Sequence, residues 1–472
     1  MTRHNAEQAR AAYAIERKSR HEASFIGETV TGPRDASFRI RVPLLHLLRI
    51  PVTQPRSRLF AARRDRAAAM PFIMATALID MISIGLIIPV LPALVGSFTG
   101  SQADQAFWYG VVTFSFGIAN FFGSPVLGAL SDRYGRRPVL LIGFCGFALN
   151  FFATGLATSL WMLAAARLVG GAMQANMSVA NAYVADITPP QDRAKRFGLM
   201  GAMFGIGFIL GPVMGGLLGA INLQLPFFVA GGLAMLNLLY GYFVLPESLP
   251  ADRRRKFEWK SANPVSSLRG LVQLKGAGRL VAVIACSGLA QFVLYTCWVL
   301  YTTFKFGWGP LENGCSLAAV GIVSAVVQGL LLGRILRRVS PRRLAVLGLL
   351  SSTLAYVLWG AATQSWMMFA IIFVNLLGAT VAAAIQSIIS SAADADKQGQ
   401  TLGAVGGLNS LMTVVAPPIG AALLTMVSHF PQGDWRIGAP FYFCAALQAA
   451  ALVLAVSHFR GERRERTAAT AA

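Results

Sequence analysis

Charged residues are scarce in this chain of 472 residues, because Asp, Glu, Lys and Arg together make up 13% of it. Soluble globular domains carry about 25% charged residues. Apolar residues make up 55% of the chain. This composition excludes a soluble domain, which needs charge to cover its surface, and indicates an integral membrane protein.

Cysteine is also rare, and its spacing shows no pairs. The five cysteines fall in or next to apolar segments, at Cys145, Cys286, Cys297, Cys315 and Cys444. Neither a zinc site nor a disulfide framework is indicated, and we expect small buried apolar side chains. The sequence also lacks a Gly-x-x-x-x-Gly-Lys-Ser/Thr loop, which argues against an ATP-driven pump. Without a catalytic constellation, we predict no enzyme, no cofactor and no metal site.

Long apolar runs dominate the chain. A run of about 20 apolar residues is long enough to cross a bilayer as a helix. Twelve spans are predicted, at residues 72–95, 108–130, 138–157, 160–185, 197–220, 226–245, 280–304, 313–336, 343–362, 366–392, 400–428 and 439–459. We therefore predict an all-α membrane protein with twelve transmembrane helices.

The formal net charge of +21 is distributed unevenly among the loops. The loops after spans two, four and eight are rich in Lys and Arg, whereas those after spans one, three, five and nine carry none. Such cations mark cytoplasmic loops, so we predict a multi-pass protein of a bacterial-type inner membrane with both termini in the cytoplasm. The same pattern explains the charge without nucleic acid as a partner.

A polar interval at residues 251–279 divides the spans six and six. We predict a first six-helix bundle at 70–246, a cytoplasmic linker at 247–279, a second bundle at 280–460 and a cytoplasmic tail at 461–472. Two pseudosymmetric halves with a substrate cavity between them are a common transporter arrangement.

Residues 1–69 differ from the rest, being rich in Arg and without an apolar segment long enough for a signal sequence. We expect a disordered basic extension. Met70 stands at the start of the first span, so an untranslated extension, with translation beginning at Met70, is an open alternative.

A densely charged turn, Gly128-Ala-Leu-Ser-Asp-Arg-Tyr-Gly-Arg-Arg-Pro138, lies between spans two and three. Its glycines allow two helices to approach closely, and its arginines can form ion pairs or stay at the cytoplasmic face. The turn resembles the loop that joins helices two and three in the major facilitator superfamily. This resemblance implies two six-helix bundles and a gating and conformational-switch set: Gly128, Asp132, Arg133, Gly135, Arg136, Arg137 and Asp186.

Asp80 lies about 12–15 Å into the first span, since each helical residue rises about 1.5 Å. An ionised carboxylate there costs at least about 2.5–3.5 kcal/mol unless it is paired, hydrated or protonated. A carboxyl that is neutral in one state and charged in another is what proton coupling requires. We predict that Asp80 couples transport to protons, with a purely structural role between helices as the alternative.

Arg167, early in span four, is the second charge inside a span. Arginine keeps its proton under physiological conditions, so Arg167 cannot carry a coupling proton itself. It can hold a nearby acid ionised, or its side chain can reach out to the membrane interface.

Span five repeats glycine every four residues around a proline. This pattern gives a smooth face for close helix packing, and the proline removes a helical hydrogen bond. The string resembles the signature of the antiporter branch of the superfamily, found in exporters that exchange drug for proton. The residues concerned are Gly207, Gly211, Pro212, Gly215 and Gly216.

Together these motifs resemble those of the drug:proton antiporters with twelve spans, and most closely the tetracycline efflux proteins. The resemblance implies that Asp80 is the functional acid of span one. It further implies that Asp132 with Arg136 forms a gating loop that latches the two halves together with Asp186, and that Arg167 is the arginine of span four.

The chain departs from this family at three positions. Members typically carry acids in spans three and nine and a histidine in span eight, where this chain has Asn150, Ser352 and Ser324. Tetracycline travels as a complex with a divalent cation, for which carboxylates are natural ligands. The loss of two acids therefore disfavours tetracycline, and a divalent cation is expected only if it is carried with the substrate.

Polar side chains within the spans are candidates for the cavity wall, with hydrogen bonds between helices as their alternative role. The candidates are Asn120, Asn150, Gln174, Gln291, Trp298, Gln328 and Gln386. A mostly apolar cavity with a few amides suits an amphipathic organic molecule, including a cationic one.

We predict a monomeric transporter that exports an amphipathic small molecule or drug in exchange for protons, by alternating access. A proton-coupled exporter or importer of an endogenous metabolite on the same fold is one alternative, although the glycine-proline pattern argues against import. A receptor or scaffold that transports nothing is the alternative from another class. It would need a large soluble domain, which neither the linker nor the tail is long enough to form.

Overall fold

Helices make up most of the chain that the computed structural model describes, namely residues 56–174, 176–255, 278–392 and 398–471. Most of the predicted extension and linker lies outside these residues. The first half contains α1 (Arg56–Ile87), α2 (Leu91–Gly96), α3 (Gln102–Tyr134), α4 (Arg136–Gly155), α5 (Leu160–Met173), α6 (Asn176–Ile187), α7 (Arg193–Ile221) and α8 (Leu225–Val244). The second half contains α9 (Gly278–Phe306), α10 (Pro310–Val326), a π turn (Val327–Leu331), α11 (Leu332–Leu336), α12 (Pro341–Ala361), α13 (Ser365–Val374), α14 (Val381–Ala392), α15 (Gln398–Val427) and α16 (Ala439–Ala471).

Within the described residues, ten helical segments are long and apolar enough to cross a membrane. An eleventh results if α13 and the helical turns that follow it, which are bent by 52°, count as one span. The remaining predicted span, 160–185, is divided into α5 and α6; of the two residues between them, residue 175 lies outside the description. Every predicted span therefore has a helical counterpart.

Two helices extend more than ten residues beyond the predicted spans. The first helix begins at Arg56, so residues 56–69 are helical where a disordered segment was expected. The last helix continues to Ala471, so the predicted tail continues the final span. Both segments are rich in Ala and Arg, which have high helix propensity.

Local sequence signals fix several helix ends. Ser101 and Ser159 lie at the N-termini of α3 and α5, where their hydroxyls accept the amide protons of Asp104 at 3.1 Å and Met162 at 3.3 Å. Such caps satisfy amides that the first helical turn leaves unpaired. Gly135 ends α3 with φ at 107°, which allows α4 to begin at the next residue.

Three hydrophobic cores show how the two halves meet. We call the end at which α3 meets α4 the charged-loop face, and the end at which α4 meets α5 the opposite face. At the charged-loop face each half has its own core, around Phe72 and Tyr183 in the first and around Leu344 and Ala451 in the second. The largest core, which includes Leu94 and residues of both halves, extends to the opposite face. The halves are thus packed together toward the opposite face and separate toward the charged-loop face.

Candidate functional site

A cavity of about 560 Å³ is formed mainly by the second half. Helices α9, α10, α12, α14 and α15 line it, together with the π turn and the segment between α13 and α14. Among the described residues, Phe208 is the contribution of the first half. Of the predicted cavity residues, the wall includes Gln291, Trp298, Gln328 and Gln386.

The prediction that Asn120, Asn150 and Gln174 also line the cavity needs correction. None of the three belongs to its wall. Asn120 accepts a hydrogen bond from the Ser124 hydroxyl at 2.7 Å, and Asn150 is buried against Gly170. The error arises because an amide in a span can face a neighbouring helix as readily as the cavity, and the sequence does not say which.

Ser324 and Ser352, which stand where the resembling family has a histidine and an acid, both lie on the cavity wall. Asn150, at the third departing position, does not. Two of the three predicted departures therefore lie on the cavity wall. The wall formed by the described residues contains amides, hydroxyls and aromatic rings and no Asp, Glu, Lys, Arg or His.

Asp80 is buried, with 7% of its surface exposed. The Asn237 amide Nδ2 donates to the Asp80 Oδ1 at 3.1 Å, and the Thr76 hydroxyl donates to the Asn237 Oδ1 at 2.9 Å. Asp80 makes no ion pair with any side chain that the structure describes. The sequence prediction missed Asn237, although an asparagine within a span was a signal that could have identified it.

Arg167 is 3% exposed, so its side chain does not reach the membrane interface. One terminal nitrogen donates to the Thr154 hydroxyl at 3.3 Å, and the guanidinium carbon lies 6.0 Å from the centre of the Phe116 ring. The Arg167 Nε has no hydrogen-bond partner in the described part of the chain. Asp80 is therefore not held ionised by Arg167 in this conformation.

Arg136 is the centre of a charged cluster on the charged-loop face. Its guanidinium lies 2.6 Å from the Asp132 carboxylate and 3.2 Å from that of Asp186. The backbone amides of Arg136 and Arg137 donate to Glu247 at 2.8 and 3.3 Å. The sequence prediction missed Glu247, which follows α8 and is the first acid after the last apolar run of that half.

Among the described residues, these partners come from the first half and the segment directly after α8, so the part of the chain that the structure describes shows no latch to the second half. The cluster instead joins the ends of α3, α4 and α6 to the segment after α8.

The two glycines of the charged turn, Gly128 and Gly135, differ in their surroundings. Gly135 lies against the Glu247 carboxylate, whereas Gly128 has no neighbouring atom within 4 Å of where a Cβ would be. Close approach is therefore a property of Gly135 only. Arg133 stacks on the neighbouring Tyr134 ring, 5.0 Å from its centre.

The glycine repeat of span five packs on two different helices. A Cβ on Gly207 would lie 2.5 Å from the Met81 Cβ, and one on Gly211 would lie 2.7 Å from the Gly85 Cα, both on α1. Gly215 faces α1 in the same way, and Pro212 lies on the same helix within unbroken α7. Gly216 instead faces α10 in the second half, where its Cβ would lie 2.7 Å from the Pro310 carbonyl oxygen.

Two irregular backbone segments adjoin the cavity, and neither is apparent from the sequence. The π turn contains Gln328, and the break between α13 and α14 contains Asn375 and Gly378. All three residues line the cavity. The described residues hold no cluster of three or more His, Cys, Asp or Glu able to bind a metal ion.

A multi-pass helical bundle with a polar and aromatic cavity, formed mainly by its second half, is typical of a membrane transporter. The sequence profile of the Major Facilitator Superfamily matches residues 73–356 and 280–472. The chain belongs to the Major Facilitator Superfamily, whose fold and function are those of transporters and not of enzymes.

The chain is similar to curated tetracycline resistance proteins, which confirms the predicted resemblance. It is 38% identical to the class C protein of Escherichia coli, over 79% of this chain and 94% of the relative. It is 32% identical to the class D protein of Salmonella ordonez, over 77% and 92%. The nucleoside transporter NupG shares the fold, with a TM-score of 0.67 at 13% identity over 83% of this chain and 99% of NupG.

Proposed function

We propose that the chain exports an amphipathic drug-like molecule across the inner membrane in exchange for protons, as a monomer with both termini in the cytoplasm. The cavity formed mainly by the second half carries this proposal, because it combines aromatic area with amides and hydroxyls. The similarity to tetracycline resistance proteins supports export of a drug. The uneven loop charge supports the orientation.

Asp80 is the proposed coupling residue. Its buried carboxyl has an uncharged donor, Asn237, and no cationic partner that the structure describes. A carboxyl in these surroundings is stabilised when it binds a proton. Binding and release of a proton at Asp80 would therefore shift the equilibrium between the inward-facing and outward-facing states of the transporter.

Alternating access requires the packing at the opposite face to open while the charged-loop face closes. The contact of Gly216 with Pro310 and that of Gly117 with the Thr413 carbonyl oxygen join the two halves now and would have to separate. The Arg136 cluster would keep α3, α4 and α6 together during this movement. In this proposal the first half moves as one rigid unit.

Everted membrane vesicles test the proposal. A pH-sensitive dye would report proton release when tetracycline with Mg²⁺, chloramphenicol or ethidium is added to energised vesicles. We expect at least one probe to release protons from vesicles that contain the protein and not from vesicles that lack it. Probe accumulation without proton movement would contradict proton coupling, and movement of every probe in the reverse direction would contradict export.

A further inference from the structure

The π turn and the break in the tenth span are adjacent to one another. The π turn, Val327–Leu331, contacts the helical turn Gly378–Thr380 that follows the break. Ser324 lies one helical turn before Gln328, and the Ser352 hydroxyl would lie 2.6 Å from a Cβ on Gly378. The two irregular segments thus form one locus on the cavity wall.

The break supplies hydrogen-bonding groups that a continuous helix would not. The Ser351 hydroxyl donates to the Asn375 Oδ1 at 2.8 Å, which orients the side-chain amide, and its NH₂ group has no hydrogen-bond partner in the described part of the chain. The Ile371 carbonyl oxygen accepts the Asn375 backbone amide at 2.9 Å, whereas the carbonyl groups that follow it in α13 have no donor within the helix, because the helix ends at Val374. Broken helices at the midplane of transporters present such groups to their substrates.

The π turn supplies a second amide. A π turn inserts an extra residue into an α-helix and is frequent at functional sites. Gln328 lies within the π turn and on the cavity wall. Its side-chain amide has no hydrogen-bond partner among the described residues. Gln328 and Asn375 can therefore offer both donors and acceptors to one bound molecule.

The described cavity wall carries no charged side chain, and this limits the chemical class of ligand that the cavity can bind. A cation or anion moved from water into this cavity would lose hydration without gaining an opposite charge, which is costly. An uncharged polar group loses little when amides and hydroxyls replace its water. The rings of Trp298, Tyr356 and Trp359 supply apolar contact for an aromatic portion.

We propose that Gln328 and Asn375, presented by the π turn and the break, form a subsite that hydrogen-bonds the polar group of an uncharged aromatic substrate. No divalent cation takes part. This inference rests on the proposed export function but concerns equilibrium binding, which can be measured without transport.

Binding to the purified full chain tests the inference, with quenching of tryptophan fluorescence as the readout. Chloramphenicol is the uncharged aromatic probe, ethidium the cationic probe, and tetracycline with Mg²⁺ the chelate. We expect chloramphenicol to bind most tightly, with the same affinity in EDTA. Gln328→Leu and Asn375→Leu should each weaken its binding at least tenfold. Gln364→Leu, at an exposed helix end outside the cavity, should leave binding unchanged.

A second variant keeps the test independent of folding. Gln328→Glu preserves the side-chain shape and adds a negative charge, so it should increase ethidium affinity at least tenfold, whereas Gln364→Glu should not. Unchanged chloramphenicol binding by the two leucine variants would overturn the subsite. If the wild type bound ethidium or the Mg²⁺ chelate of tetracycline more tightly than chloramphenicol, the assignment of an uncharged substrate would be wrong. Chloramphenicol binding to the purified chain, with no proton release from vesicles by any of the three probes, would instead contradict the export function and leave the subsite supported.

Discussion

The amide of Asn237 on α8 donates to the Asp80 carboxyl on α1 across 3.1 Å, and so joins the first and last spans of the first half. Thr76 donates to the same asparagine at 2.9 Å, which fixes the orientation of its amide. The carboxyl proposed to couple transport to protons is therefore positioned by a polar network that contains no cation among the residues that the structure describes. Its charge can change without breaking an ion pair.

Replacing Asp80 tests its role directly. Asp80→Asn keeps the side-chain shape and removes the titratable group, so we expect drug-driven proton release in vesicles to fall at least a hundredfold with normal insertion. Asp104→Asn, at an exposed helix start near the opposite face, is the matched control and should retain exchange. Wild-type exchange by Asp80→Asn would refute the coupling role.

Loss of Asn237 should destabilise the protein. Asn237→Leu leaves the Thr76 hydroxyl and the Asp80 carboxyl without their partner, and an unsatisfied buried polar group costs about 1–3 kcal/mol. Thermal unfolding in detergent measures the change. Adding Thr76→Val should recover part of the loss, because the second unpaired group is then removed. A double variant no more stable than Asn237→Leu would argue against the network.

Gly135 and Gly128 should respond differently to the same change. Gly135 has φ at 107°, where a side chain is strained, and it lies against Glu247. We expect Gly135→Ala to lower stability by about 1–3 kcal/mol and to weaken the Arg136 cluster. Gly128→Ala, with open space around it, should be tolerated. Equal melting temperatures for the two variants would contradict this account of the turn.

The contact of Gly216 with α10 predicts a change in conformation. A Cβ at Gly216 would lie 2.7 Å from the Pro310 carbonyl oxygen and 3.2 Å from the Gly314 Cα. We expect Gly216→Ala to favour opening at the opposite face. The distance distribution between spin labels at Asp104 and Ser428 should then show a larger population in which the two labels are far apart. Gly205→Ala, on the same helix and without neighbours, is the control. Equal distance distributions for Gly216→Ala and Gly205→Ala would mean that the contact of Gly216 with α10 does not limit opening.

Asp434 gives a pH dependence outside the spans. The hydrogen bonds from Arg436 lower the pKa of Asp434 from its ordinary 3.8 to about 2. A lowered pKa in the folded protein means stability that is present above about pH 4 and lost as the pH falls toward 2. The melting-temperature difference between the wild type and Asp434→Asn should be constant from pH 8 to about 5 and shrink below about 4. A constant difference down to pH 3 would contradict this pairing.

The Arg136 cluster shows the limit of prediction from a motif. The turn from Gly128 to Pro138 contains Asp132 and Arg136, and the family resemblance added Asp186. The Arg136 guanidinium lies 2.6 Å from the Asp132 carboxylate and 3.2 Å from that of Asp186. The motif did not identify Glu247, which comes from the far end of the half. A local motif specifies its own residues, whereas a partner about a hundred residues away is brought in by tertiary packing.

The sequence by itself determined the membrane class, the helical spans and the superfamily, because hydrocarbon demands apolar helices of bilayer length and local motifs specify the charged turn and the glycine repeat. Only the tertiary structure decided that Gln328 and Gln386 face the cavity while Asn120 and Asn150 do not. It also decided that the tenth span bends by 52° beside a π turn. The physical reason is that lipid and helix neighbours are similarly apolar, so hydrophobic periodicity does not mark the inner face of a membrane helix.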